Sequence, residues 1–238
     1  MIRVIEVRIP GINKIQDLLG RNKYAPVHGN EFIWQGYTYK VIVKNELAWL
    51  DRNLGASRVA ISSDDEQSYG DLYQWGRLAD GHEKINRFIG DGKTTSGTTD
   101  TLSSNDIPGH SEFITAGGIG DWRNPQNDIL WHAVGGINNP SPPGWRIPTE
   151  LELDIERLSW DTDNAAGAFA SSLRLPLGGF RRDGTGLIDF VGSGGYYWSS
   201  IESFGRAWGF QFLSSSAGMV RRSRANGYSV RCVRTLPS

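Results

Sequence analysis

Four histidines, His28, His82, His110 and His132, are the first candidates for acid–base or metal chemistry. They are scattered, and none stands in an HExxH or HxH spacing that would turn two imidazoles toward one ion. No metal ligand and no catalytic base is expected among them. Serine catalysis lacks its strained Gly-x-Ser-x-Gly turn. Gly117-Gly118-Ile119-Gly120 leads into neither a helix signal nor a Lys-Ser pair, so a phosphate loop is not expected. Cys232 is the single cysteine, which excludes an intrachain disulfide and a CxxC zinc site. Acidic runs occur at Ser63-Asp64-Asp65-Glu66 and Asp161-Thr162-Asp163-Asn164. The second has oxygen ligands at alternate positions, like half of a calcium loop. It lacks the downstream Gly and the closing Glu, so helix capping in a solvated turn is the expected role. Arg221, Arg222 and Arg224 could meet an acidic ligand, or guard a sheet edge against pairing. The expectation is a chain with no catalytic residue, no metal and no cofactor.

Composition bounds the rest. The 238 residues allow one large domain, or one domain with a small appendage. A net charge of −1 gives no global field to draw in nucleic acid or anionic lipid, so neither is an expected partner. No run of about 18 apolar residues exists, so no membrane insertion is expected. Met1-Ile2-Arg3-Val4-Ile5-Glu6 shows no signal peptide. The expected location is the cytoplasm, or a virion or surface assembly built there. Nine Trp, eight Tyr and nine Phe against two Met require a core of aromatic and branched side chains, and thirty Gly point to many turns.

These elements must position any site. Within residues 1–30, Val4, Ile5, Val7 and Ile9 suggest a strand, and Ile12 to Leu19 has helical spacing. The segment reads as an attachment piece or as an elaboration on the main core. Glu31 to Lys44 reads as a hairpin turning at Gln35-Gly36, followed by a strand at Ala48-Trp49-Leu50. Tyr69 to Arg77 places Tyr69, Leu72, Tyr73 and Trp75 at roughly helical spacing, predicting a short helix with a buried aromatic face. Residues 80–139 lack periodicity, and Trp122 and Trp131 favour ordered loops there. Thr149 and Glu152 form a capping box, predicting a helix from Glu150 to Trp160 that buries Leu151, Ile155 and Leu158. Beyond Ser171 the pattern is β: Leu173 to Leu177, a hairpin through Asp183-Gly184, then Tyr196–Ser200, Arg206–Leu213, Gly218–Arg222 and Tyr228–Val233. In the second of these strands Trp208, Phe210 and Phe212 alternate with Gly209, Gln211 and Leu213, predicting one core face and one open face. In the last, Tyr228, Val230 and Cys232 alternate with Ser229 and Arg231. The sum is an α+β fold with two helices and small, mostly antiparallel sheets.

Six phrases then stand in order between about residues 30 and 235. They are Phe32-Ile33-Trp34-Gln35-Gly36-Tyr37, Trp49-Leu50-Asp51-Arg52-Asn53-Leu54-Gly55-Ala56, Tyr69 to Arg77, Pro143-Gly144-Trp145-Arg146-Ile147-Pro148-Thr149, Gly195-Tyr196-Tyr197-Trp198-Ser199-Ser200 and Gly227 to Val233. Together they resemble the Fibrobacter succinogenes major paralogous domain family, which overlaps the variable proteins of diversity-generating retroelements. The resemblance implies a C-type-lectin-like fold of the formylglycine-generating-enzyme type over residues 31–238. It also implies a variable ligand-binding region at 195–234. Adenine-directed mutagenesis in such proteins reaches many residue types but not Trp, Met, Gln, Glu or Lys, so Trp208, Met219, Glu202 and Gln211 should be fixed. The residues expected to face outward and bind ligand are Ile201, Ser203, Phe204, Gly205, Arg206, Gly209, Leu213, Gly218, Val220, Arg221, Arg222 and Ser223. Trp145, Trp198, Trp208, Phe210 and Phe212 are expected to anchor the core beneath them.

Many relatives carry a Cys ahead of the Pro-x-Gly-Trp-Arg phrase. Here that stretch reads Pro140-Ser141-Pro142-Pro143-Gly144-Trp145, so Cys232 is expected to be a small buried residue. Formylglycine generation needs a Cys pair, and sulfoxide-synthase chemistry on the same fold needs a His-rich iron site. One Cys and scattered His argue against both. The resemblance therefore implies a non-enzymatic protein recognising an unknown protein or cell-surface ligand, with an undiversified adhesin or structural domain as the alternative.

Overall fold

The computed structural model describes residues 24–27, 31–89, 92–118 and 120–236. The expected strand and helix between Val4 and Leu19 lie outside the described residues. In chain order the elements begin with β1 (Tyr24–Val27), β2 (Glu31–Trp34), β3 (Tyr37–Lys44), β4 (Leu47–Leu50) and β5 (Tyr73–Gln74). Next come β6 (Ile85–Ile89), β7 (Gly92–Thr95), β8 (Thr98–Thr99) and β9 (Phe113–Ile114). The helices α1 (Glu150–Leu158) and α2 (Ala165–Ala170) follow, then β10 (Phe180–Arg181) and β11 (Ile188–Asp189). The chain ends in β12 (Gly195–Ser203), β13 (Arg206–Phe212), β14 (Ala217–Arg222), β15 (Gly227–Tyr228) and β16 (Val233–Thr235). The fold is α+β, mostly sheet, with every strand pair antiparallel except β8 with β9. No described helix is long and apolar enough to cross a membrane.

Three sheets organise the molecule, in the orders β1-β2-β3-β4-β16, β11-β10-β15-β5 and β12-β13-β14. The expected β2–β3 hairpin forms, with Gln35 at φ 49° and Gly36 at φ 85°. Two left-handed residues make the turn whose twist suits a two-residue hairpin. Val233 pairs with Trp49, so the end of the chain closes the first sheet. Between the sheets lies one aromatic cluster that includes Trp75, Trp131, Trp145, Trp198 and Tyr228. A second gathers Trp49, Leu153, Phe210 and Phe212. Buried indoles also tie segments together by hydrogen bonds. Trp198 Nε1 donates to the Tyr73 carbonyl at 2.7 Å, and Trp122 Nε1 donates to the Trp75 carbonyl at 2.7 Å. Trp131 Nε1 donates to the Asn138 carbonyl at 3.0 Å. Through Trp122 and Trp131 the described part of residues 80–139 is fastened to the core, as expected, but it also carries the short strands β6 to β9 rather than loops alone.

Several expectations are corrected. Tyr69 to Arg77 is not helical. Gly70 and Gly76 hold φ +69° and +80°, and a side chain at Gly70 would run into the Leu54 carbonyl. Asp65 instead caps a single 3₁₀ turn at Glu66–Ser68. Tyr69, Leu72, Tyr73 and Trp75 are all buried, so their helix-like spacing reflects a segment enclosed on every side. Helix α1 has the expected capping box: the Thr149 hydroxyl accepts from Glu152 N at 3.2 Å, and the Glu152 carboxylate accepts from Thr149 N at 2.8 Å. Its buried face is not the expected one. Leu151, Ile155 and Leu158 are exposed, while Leu153 and Glu156 are buried. Glu156 accounts for the rotation. Its carboxylate accepts from Lys44 Nζ at 2.9 Å, Trp160 Nε1 at 3.0 Å and Asn45 Nδ2 at 3.2 Å. A carboxylate with that many donors is stable inside, and it fixes which side of the helix faces in.

Leu173 to Leu177 has the alternation of a strand but pairs with none. Pro176 has no N–H to give. The Leu173 and Pro176 carbonyls are taken by Arg231 Nη1 and the Tyr197 hydroxyl. The expected strand Tyr228–Val233 breaks in two, β15 ending at Tyr228 and β16 starting at Val233, and all of 228–233 are buried, so their alternation marks no open face. Arg231 is among them, with Nε donating to Asn53 Oδ1 at 3.0 Å. Cys232 is the expected small buried residue, and burial pushes its thiol up to about 12.

Candidate ligand-binding surface

The three-stranded sheet is a meander. Tyr197 pairs with Phe210 and Phe210 with Met219, while Trp198 pairs with Gly209 and Gly209 with Val220. In antiparallel pairs opposite residues share a face. One face therefore carries Tyr197, Phe210, Phe212 and Met219, and it packs on Leu153 of α1 and on Trp160. The Trp160 and Phe210 ring centroids are 5.5 Å apart. The other face was expected to be open. Near β12 it is covered instead, since Trp198 stacks on Tyr228 with centroids 4.3 Å apart and planes 22° from parallel. This face opens toward β14, the edge strand, where none of the residues from Ala217 to Arg222 is fully buried and Arg221 is exposed.

The hairpin joining β12 to β13 turns on Phe204 at φ 49° and Gly205 at φ 75°. A left-handed conformation suits Gly or Asn and is disfavoured for an aromatic residue by roughly 1–2 kcal/mol. Phe204 is nevertheless 91% exposed, so no burial compensates it. The Arg221 guanidinium lies 6.0 Å from its ring centroid, and Gln126 Nε2 donates to the Gly205 carbonyl at 3.0 Å.

The twelve expected contact residues divide three ways. Phe204, Arg206 and Arg221 are exposed. Ile201, Gly205, Leu213, Gly218, Val220 and Arg222 are half-buried. Ser203, Gly209 and Ser223 are buried, which corrects their outward assignment. A side chain at Gly209 would stand 2.9 Å from Tyr228 Cε2, so glycine there keeps the stacked Tyr228 ring in place. Ser203 ends β12, paired with Arg206, and Ser223 directly follows β14. Trp208, expected to be a core anchor, is only half-buried, beside Leu151 and Met219 in a shallow depression. Trp145, Trp198, Phe210 and Phe212 are buried as expected.

The basic run also splits. Arg224 is fully buried, with Nη2 on Asp128 Oδ1 at 2.6 Å and Nη1 on Asp121 Oδ2 at 3.3 Å, over the Trp75 ring at 4.6 Å. Burial raises the Asp121 pKa to about 6, against the opposing pull of the Arg123 backbone N–H and the Arg224 guanidinium. Arg222 Nη2 donates to Gln211 Oε1 at 2.5 Å and has no carboxylate partner among the described residues.

Beside Gln211 and Arg222 lies a cleft of about 330 Å³. Its aromatic wall is Phe180 of β10, Phe190 and Tyr196, with Tyr228 alongside. Its polar groups include Asp183 and Asn226. Leu213 and Arg222 bring two of the expected contact residues to its rim.

Comparison with protein-family models, with curated proteins and with solved structures finds no match. The site is therefore read from its own geometry. Sequence reasoning missed the aromatic wall, which is drawn from three separate segments, and local spacing holds no trace of their meeting. The one available signal was the aromatic residues beside turn-forming Gly179 and Gly192.

A second cluster lies in the 80s. Asp80, His82 and Glu83 bring potential ligand atoms within 4.8 Å of one another. Hydrogen bonding assigns them a structural role. His82 is buried, and its Nε2 accepts from Gln74 N at 3.0 Å, so the neutral ring carries its proton on Nδ1, 2.7 Å from Asp80 Oδ1. An ion on Nδ1 would displace that proton from a ring already committed at both nitrogens. Asp80 also holds Arg77 Nε at 2.8 Å. Burial first, and Arg77 second, hold the His82 pKa below its ordinary value. The acidic runs are likewise structural: Asp65 clasps Arg58, Asp163 pairs with Arg157, and Asn164 caps α2.

Proposed function

We propose that this chain is a non-catalytic binding protein of C-type-lectin-like fold. Its ligand surface is the hairpin tip and open edge of the β12-β13-β14 sheet, and its ligand is a protein or cell-surface molecule. The observation that carries the reading is Phe204. A large apolar ring is held out in water, in a backbone conformation that disfavours it, beside Arg206 and Arg221. Strain kept at an exposed position points to function rather than folding, and exposed aromatic and Arg side chains dominate binding energy at interfaces. The six ordered sequence phrases support the fold.

Diversification by a retroelement is the second part of the proposal. The buried scaffold of Trp198, Phe210, Phe212 and Tyr228 tolerates change at its outward neighbours, because surface substitutions away from packed features shift stability by only about 0.5 kcal/mol. Burial of Ser203, Gly209 and Ser223 and the left-handed backbone of Gly205 support a changeable set of Ile201, Phe204, Arg206, Leu213, Gly218, Val220, Arg221 and Arg222.

Two experiments test these parts. A display library randomised at the changeable positions should yield mostly folded clones, including binders to a probe protein such as streptavidin. Randomising Ser203, Gly209 and Ser223 should yield mostly unfolded ones, and the reverse result overturns the surface assignment. In the genome, the DNA encoding residues 195–234 should have a near-copy beside a reverse-transcriptase gene, differing almost only at adenines. Its absence replaces diversification with the undiversified adhesin reading.

A further inference from the structure

We infer that the cleft between the β10–β11 hairpin and the open face of β13–β14 recognises a ring-bearing carboxylate, with the anion on Arg222 and the ring against Phe180, Phe190 and Tyr196. The inference deepens the binding reading at Leu213 and Arg222 and rests on it there. Phe180, Asp183 and Phe190 come from the β10–β11 region, outside residues 195–234.

The aromatic wall is built rather than incidental. Phe180 and Tyr196 have centroids 4.7 Å apart, Phe180 and Phe190 6.0 Å, and Phe190 and Tyr196 5.9 Å. Phe190 is exposed and left-handed, at φ 59°. Like Phe204, it is a bulky residue held outward in a conformation that disfavours it. The bend is locked from behind, since any side chain at Gly179 would collide with the Asp189 carbonyl. A volume of about 330 Å³ suits a small ring with one substituent.

Charge sets the sign of the ligand. Arg182 is neutralised by Asp189. Arg222 is not neutralised by any described carboxylate. Its Nε is shielded from solvent with no acceptor, and its Nη2 donates to the neutral Gln211 amide. A guanidinium partly withdrawn from water without a counter-charge is poorly compensated. An arriving carboxylate supplies the counter-charge it lacks. Asp183 lines the same cleft. Its negative charge disfavours a phosphate dianion more than a singly charged, planar carboxylate.

The test uses the whole chain and three probes sharing one ring: phenylacetate, phenylacetamide and benzylamine. Binding is followed by amide shifts and by the Arg222 Nε–Hε resonance. Phenylacetate should saturate, move the Arg222 signal, and bind at least about tenfold more tightly than the amide. Arg222→Ala should erase the preference for acid over amide, and Arg222→Lys should retain part of it. An unchanged melting temperature shows that these variants fold. The triple substitution Phe204→Ala, Arg206→Ala, Arg221→Ala should leave phenylacetate binding intact, which separates this cleft from the hairpin-tip surface. Equal affinity for acid and amide, tighter binding of the amine, an acid preference that survives Arg222→Ala, or no saturation each overturns the inference.

Discussion

Replacing Phe204 by Asn should stabilise the protein while weakening its function. The reasoning starts at the backbone: Phe204 and Gly205 are both left-handed, the conformation for which Asn-Gly is the preferred pair. Relieving the aromatic residue returns roughly 1–2 kcal/mol. Little is lost, because the ring is 91% exposed. The one contact forfeited is the Arg221 guanidinium at 6.0 Å, worth about 0.5 kcal/mol at an exposed site. The net gain is about 0.5–1.5 kcal/mol, which for a chain of this size raises the melting temperature by about 1–6 °C. Scanning calorimetry on both proteins measures it directly. A fall in melting temperature would refute the reasoning, because it would mean that the ring is packed or that the turn is not left-handed. Natural retention of the strained Phe is what the binding proposal requires, so the stabilised variant should also bind the native ligand less well.

Three further outcomes follow from the same structure. His82 is neutral and buried with its pKa below the ordinary 6.5, so the unfolded chain takes up a proton that the folded chain refuses. Stability is then full above about pH 6.5 and falls as pH drops below it; a pH series of melting temperatures should show this slope, and it should flatten in His82→Gln. Gly209→Ala should cost about 1–3 kcal/mol by pushing the Tyr228 ring off Trp198, whereas Gly218→Ala, with nothing within 4 Å of its new methyl, should be near neutral in urea unfolding. Glu156→Leu should cost about 2–4 kcal/mol despite adding an apolar side chain to a helix, because Lys44, Asn45 and Trp160 lose their acceptor; a stabilised variant would show that apolar packing, not the buried carboxylate, orients α1.

What could be read from residues alone were the features decided within a few positions. The Gln35-Gly36 hairpin, the Thr149–Glu152 capping box and the strands from Gly195 to Arg222 are such features. Turn chemistry, caps and period-two alternation act between near neighbours. The sequence by itself also determined the aromatic character of the core and the α+β class.

Tertiary structure decided which faces are covered. Leu151, Ile155 and Leu158 have the spacing of a buried stripe, yet a carboxylate held by donors from β3 and Trp160 turned α1 the other way. Gly209 lies on the nominally open side of β13, yet Tyr228 arrives from β15 to close it. Arg222 and Arg224 are nearly adjacent in the chain. One became a buried strut between Asp121 and Asp128, and the other a cation left over beside an aromatic cleft. Each outcome depends on a partner distant in sequence, and burial and charge compensation are properties of the assembled neighbourhood rather than of the residue.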